Sequence, residues 1–349
     1  MPIENGRGLM TPRERWGLLL IDERPDRPPT LPLITTHAAT VFGCGLDVYC
    51  ANGKVLAEAQ LAARKRYRHD GFSVFTDVGL IAEAFGSRYH LRADDAPILD
   101  APVLNDIRQA DRLVQPDPGS SGRMPAILDA VHRLHLAAGD EVPTFAYIPC
   151  PFTTAAGLRG VDAWLMDTVL EPEAAEVVLE LALEAAIRLA DECVLAGALP
   201  VLVDPLASGS VISPRTFERF ALPPTRRLIR HLHRYDLDVT LHICGDTSGL
   251  LDQIARTETD LFSFDQLPIA TARQALGAKI RLVGAVPPHG LLRSSEIDVA
   301  AVGAAQGAEG LANPAGFAFA TGCEVPIRCD PDKLAALVQV GKGLRYLTA

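Results

Sequence analysis

Leu241-His242-Ile243-Cys244-Gly245-Asp246 is the stretch that decides the fold. It continues the alternating run Asp238-Val239-Thr240 and passes into Gly-Asp-Thr, so it reads as a strand leading to a loop and a helix start. On a strand, residues two apart face the same side. His242 and Cys244 therefore project together near the strand's C-terminal end. An imidazole and a thiolate side by side are two of the ligands a zinc ion takes. A later apolar run ends in Ala320-Thr321-Gly322-Cys323-Glu324-Val325-Pro326 and supplies a third soft donor, Cys323. The central expectation is that His242, Cys244 and Cys323 hold one catalytic zinc.

On either side of this stretch, strand-period and helix-period segments take turns. Strands are predicted at 31–36, 72–77, 144–148, 200–204, 239–244, 261–265, 280–284 and 316–320. Helices are predicted at 54–67, 124–138, 172–196 and 332–346, with another opening at the N-cap and first-turn proline of Ser213-Pro214. The 88–104 segment holds short extended pieces broken by Asp94-Asp95 and two prolines, and reads as a β-hairpin excursion. Eight strands with helices between them favour a single (β/α)8 TIM barrel over 31–349, preceded by an N-terminal extension, 1–30. The alternative is an open doubly wound sheet. The barrel accounts for something the open sheet does not require. Asp77, Asp204, His242, Cys244, Asp265 and Cys323 all fall at or just past strand C-termini, which a barrel gathers into one ring where active sites are found. Ligands 79 positions apart can meet across such a ring.

Composition narrows the function classes. With 349 residues, 48% hydrophobic and 22% charged, the chain has ample core. Its net charge is −10, and its one basic cluster, Arg64-Lys65-Arg66-Tyr67-Arg68, reads as the solvated side of a helix. A nucleic-acid partner needs a concentrated positive face and is not expected. The N-terminal apolar run Gly17-Leu18-Leu19-Leu20-Ile21 is too short to span a bilayer or to serve as a signal core, so no membrane association is expected. Seven scattered cysteines suit reduced thiols in a cytoplasmic protein. Oligomeric state is not encoded in the pattern, and a homodimer is compatible with it.

His-Ile-Cys-Gly-Asp-Thr, Asp204-Pro205 followed by Ile212-Ser213-Pro214, and the late Gly322-Cys323 resemble the uroporphyrinogen decarboxylase superfamily, and within it the zinc-dependent, corrinoid-linked methyltransferase branch. The resemblance runs from about residue 31 to the C-terminus. It implies a TIM barrel, a zinc on His-x-Cys and a distant Cys, and methyl transfer between a corrinoid, free as cobalamin or on a partner protein, and a thiol or other small methyl carrier. The decarboxylase proper is the alternative. Its Arg-bearing N-terminal loop is replaced here by Thr35-Thr36-His37-Ala38-Ala39-Thr40, without arginine, and its late His-Gly by Cys323-Glu324. Phe75-Thr76-Asp77 does sit like its Phe-Ser-Asp, which keeps Asp77 among the catalytic candidates. A third reading is a non-catalytic barrel that binds a corrinoid protein.

One neutral imidazole and two thiolates leave a zinc site uncharged, with a fourth position open. A substrate thiol entering that position sheds its proton and stays nucleophilic. Asp265 is the expected occupant of the open position at rest, and Glu324 a weaker one. Asp246 is either a helix N-terminal residue or an orienting partner of His242. Asp204 and Asp77 are catalytic candidates with bland alternatives, a turn before Pro205 and a helix cap. Cys44, Cys50, Cys150 and Cys193 read as buried small residues, Cys329 as a distant rival to Cys323 beyond the presumed loop, and His37 and His289 as packing. Loops 35–53 and 149–159 are expected to line the pocket mouth, with Phe42, Tyr49 and Phe152 giving it apolar character.

Overall fold

The computed structural model describes residues 10–293 and 295–346. Its main sheet is all parallel and follows chain order: β1 (Phe72–Val74), then β4 (Thr144–Pro149), β5 (Ala198–Val203), β6 (Thr240–Ile243), β7 (Leu261–Phe264), β8 (Arg281–Val286) and β9 (Phe317–Thr321). Between β1 and β4 lies an antiparallel hairpin of β2 (Arg88–His90) and β3 (Ile98–Ala101), the expected excursion. Seven of the eight predicted barrel strands are therefore present.

The eighth differs. In place of a strand at 31–36 there are two isolated bridges, Thr30 to Phe319 and Leu33 to Glu324. Leu31 N–H donates to Phe319 C=O at 2.8 Å, and on the other side Asp70 N–H donates to Thr30 C=O at 2.8 Å. The segment thus fills the gap between β9 and β1. Pro29 and Pro32 lack the N–H groups a regular ladder would use, which keeps it irregular.

Alternation along each strand separates two cores. Phe145, Tyr147, Val201, Val203, Leu261, Val283, Ala318 and Ala320 pack inside the barrel, while Ala146, Leu202, Leu241, Ile243, Phe262, Phe264, Phe317 and Phe319 face the outer helices. Helix Pro12–Leu20 opens with a Thr11/Glu14 capping box and seals the barrel floor with Trp16 and Leu19. The Trp16 indole N–H donates to Asp70 C=O at 2.9 Å, so burying the ring strands no donor. The outer helices appear where the periodicity put them: Gly53–Tyr67, Met124–Ala138, Pro172–Leu195 and Pro331–Gly343. Ser213 caps the expected helix start by accepting from Thr216 N–H at 3.1 Å.

The two stretches read as pocket-mouth loops are mostly helical: His37–Phe42, Leu46–Ala51 and Pro151–Arg159. Tyr49 and Phe152 are fully buried in the outer core. Tyr49 donates its hydroxyl to Thr35 C=O at 3.0 Å, and Phe152 packs edge-on against Trp164. These aromatics cement helices to the barrel, where their buried area stabilises more than it would at a wet rim.

Candidate metal centre

At the C-terminal ends of the strands lies a cavity of about 340 Å³. His242, Cys244 and Cys323 all line it. His242 is inward-facing on β6 because Leu241 and Ile243 claim the outer core on either side of it. Cys244 follows two residues on, just past the strand end. Cys323 follows β9, and Gly322 lets that turn approach β7: a Cβ there would lie 2.9 Å from Asp265 Cα.

The three donor atoms converge. His242 Nε2 is 3.0 Å from Cys244 Sγ, Cys244 Sγ is 3.1 Å from Cys323 Sγ, and all three lie within 4.8 Å of one another. A tetrahedral ion with bonds of about 2.0–2.3 Å spaces its ligand atoms roughly 3.5–3.8 Å apart, so the trio needs to open by about half an ångström to hold one. The donor set, one nitrogen and two sulfurs, is one that zinc favours.

The ring of His242 is fixed from its other side. Nδ1 is 2.9 Å from the hydroxyl of Ser263, directly opposite it in the β6–β7 register. Such a partner selects the tautomer and leaves Nε2 free as a ligand. The two thiols share a proton. The S–H of Cys244, with help from His242, holds the Cys323 thiol well below its ordinary range against the opposing effect of burial. The resulting Cys323 anion, with burial, pushes the Cys244 thiol well up.

The other candidates separate. Asp77 lines the cavity, and its carboxylate is gripped by Arg123 at 2.6 and 3.2 Å. It also accepts from Gly79 N–H at 2.9 Å, a turn bond just ahead of helix Leu80–Ala84, whose N-cap is Gly79 and not Asp77. Asp204 is buried and takes no part in the cavity lining. It accepts from Thr153 N–H at 3.1 Å and Thr153 Oγ1 at 2.6 Å, tying the end of β5 to the first turn of helix Pro151–Arg159. Burial raises its carboxyl to about 7 in spite of those bonds. Asp265 is half-buried outside the donor trio; burial and the Cys323 charge raise its pKa. Glu324 lines the cavity, accepts from the Thr35 hydroxyl, and is lifted to about 7 by burial.

Asp246 does not orient His242; it is exposed and accepts from Ser248 N–H at 2.9 Å, a turn residue. His37 is buried, 2.9 Å from the Tyr67 hydroxyl, and His289 stands away from the cavity. Two residues were missed in the sequence, Ser263 and Arg123. Ser263 carried a signal: it is the lone polar residue within Leu261-Phe262-Ser263-Phe264. Arg123 carried none, because it reaches Asp77 from 46 residues away.

The family model described as uroporphyrinogen decarboxylase (URO-D) matches residues 11–344. A methylated-thiol–coenzyme M methyltransferase of Methanosarcina mazei is 29% identical over 284 residues, covering 79% of this chain and 75% of the relative. A methylcobamide:CoM methyltransferase of the same organism is 26% identical, covering 96% of this chain and 99% of the relative. A uroporphyrinogen decarboxylase of Vibrio campbellii is 25% identical, covering 71% of each chain. A solved structure, a methyltransferase from Methanosarcina mazei, superposes with a TM-score of 0.87 at 22% identity, covering 96% of this chain and 99% of its own, which establishes the shared fold.

Proposed function

The chain belongs to the uroporphyrinogen decarboxylase family, and from that premise we propose that it is a methyltransferase moving a methyl group between a corrinoid and a small thiol, with a zinc ion held by His242, Cys244 and Cys323. The observation that carries this reading is the meeting of one imidazole and two thiols, from two distant strand ends, on an open cavity. The methyltransferase names of relatives that match most of the chain agree with it. What weighs against a porphyrinogen substrate is the lining: among the described residues there is no lysine or arginine on the cavity wall to hold acidic side chains.

When bound, zinc acidifies a thiol in its open position and keeps that sulfur nucleophilic at neutral pH. The chain's own groups do the rest. Ser263 holds the His242 ring so that Nε2 points to the sulfurs. Cys323 carries the first negative charge and Cys244 the proton that a cation displaces. Glu324 stands on the cavity wall to take the proton an entering thiol sheds. Phe75, Tyr147 and Val203 keep water from the sulfur. Asp265, outside the donor trio in this structure, would have to turn inward to occupy the open position at rest. The substrate sulfur attacks the methyl carbon, the S–C bond forms, the Co–C bond breaks, and its electron pair stays on cobalt. The corrinoid enters as a substrate, free or on a partner protein. Among the described residues no helix is long and apolar enough to cross a membrane, and the free cysteines suit a reducing, cytoplasmic setting.

The test is anaerobic incubation of zinc-loaded protein with methylcobalamin and a set of thiols. Thioether should form as methylcobalamin disappears. Failure in both directions with every thiol, by protein holding stoichiometric zinc, would contradict the proposal. Stepwise loss of carboxylates from uroporphyrinogen without metal would replace it with the decarboxylase reading.

A further inference from the structure

The charge of the cavity wall restricts the methyl carrier. Among the described residues that line it there are two carboxylates, Asp77 and Glu324, and no lysine or arginine. The guanidinium behind Asp77 is committed: Arg123 gives two nitrogens to Asp77 and its Nε to Glu83 at 2.6 Å. Two arginines stand near the mouth, each beside a carboxylate and neither on the cavity wall. Arg92 bonds to Ala96 C=O and lies 2.7 Å from Asp95. Arg328 is exposed to solvent and lies 3.6 Å from Asp94. The rest of the wall is mainly carbon, with Leu33, Phe75, Val78 and Val203 among its members.

From this lining we infer that the thiol or thioether bound at His242, Cys244 and Cys323 carries no anionic head group. The inference rests on the methyltransferase reading above. It sets this chain apart from what the names of its relatives describe, because coenzyme M is a thiol with a sulfonate. The metal with its imidazole and two thiolates is neutral, so a bound substrate thiolate already brings the site to a net negative charge. A sulfonate would add a second anion to a low-dielectric wall that offers carboxylates and no cation, and burying an unpaired charge is costly. A neutral, short apolar tail fits the carbon wall.

Zinc-loaded full-length protein is titrated calorimetrically with three thiols of similar size: 1-propanethiol, 2-mercaptoethanol and 2-mercaptoethanesulfonate. The same three are then offered with methylcobalamin. Propanethiol and mercaptoethanol should each bind about tenfold or more tightly than the sulfonate, and be methylated in preference to it. Equal or tighter binding of the sulfonate overturns the inference, and so does absence of binding by the neutral thiols. Methylation of the sulfonate in preference overturns it while leaving the methyltransferase reading intact. Neutral thiols that bind more tightly but are never methylated support the charge preference and overturn methyl transfer. The converse variant, Ile327→Lys, adds a cation to the partly exposed rim of the wall. It should narrow the affinity ratio by about tenfold. A folded Ile327→Lys protein with the wild-type ratio counts against the inference.

Discussion

Two polar clusters share the same barrel mouth and are built in opposite ways. After β1, Asp77 is met by two guanidinium nitrogens of Arg123, and Glu83 takes the third. One guanidinium there is shared by two carboxylates, and every one of the three groups has its partner within the protein. After β6 and β9, His242, Cys244 and Cys323 have Ser263 on one side and otherwise only one another. Two thiols 3.1 Å apart, one holding the proton and the other the charge, are poor partners. The first cluster is complete and works as framework. The second is complete only with a cation added, which is what distinguishes a ligand set from a structural network.

The comparison is broken most easily at the second cluster. Cys244→Ala or Cys323→Ala should lower zinc from about one per chain to near zero and methyl transfer by more than about a hundredfold, since three protein ligands are the minimum for a catalytic site. The folded state of the metal-free protein should be unaffected. Elemental analysis beside circular dichroism checks this, and a Cys323→Ala protein that keeps its zinc would sink it. Arg123→Leu should do the reverse. It leaves Asp77 buried without its partner and should cost about 3–5 kcal/mol of stability by urea unfolding, with zinc content of the folded protein unchanged. Adding Asp77→Asn to that variant should recover part of the loss.

A third test concerns a buried carboxyl of neither cluster. Asp204 titrates near 3.8 when unfolded and near 7 when folded, because burial outweighs its Thr153 bonds. Between those values the unfolded chain has released the proton and the folded one retains it. Its contribution therefore favours folding at low pH, is lost as pH rises from about 4 to about 7, and is flat above, by at most about 4 kcal/mol. Asp204→Asn, which keeps the acceptor oxygen for Thr153, should flatten that part of the profile in urea melts at several pH values. An unchanged slope would show that the carboxyl ionises freely where it sits. The smallest effect is expected from Ser263→Ala, which frees the His242 ring: zinc affinity should fall by about 10–100-fold in a chelator competition, with the stability of the metal-free protein little altered.

The barrel was legible because its strands announce themselves by composition and by where their polar residues fall. The donor trio was legible because two of its members sit two apart on one strand, a local pattern. What stayed hidden was long-range. Nothing around Arg123 signals that it reaches Asp77. Pro29 and Pro32 marked the irregularity of the first barrel segment, yet the apolar residues between and after them gave it a strand's appearance. Tyr49 and Phe152 look like pocket aromatics as long as their segments look like loops. Once those segments are helices, the same rings become packing residues. Asp204 fell at a strand end like the ligands, but it sits against the first turn of a neighbouring helix, and sequence cannot tell which way such a side chain turns.

Zinc K-edge X-ray absorption on purified, reduced protein tests the central claim most directly. The account predicts about one zinc per chain with two sulfur ligands near 2.3 Å and nitrogen or oxygen completing the shell, and a third sulfur on adding a thiol substrate. A protein that binds no zinc, or binds it without two sulfurs, would contradict it.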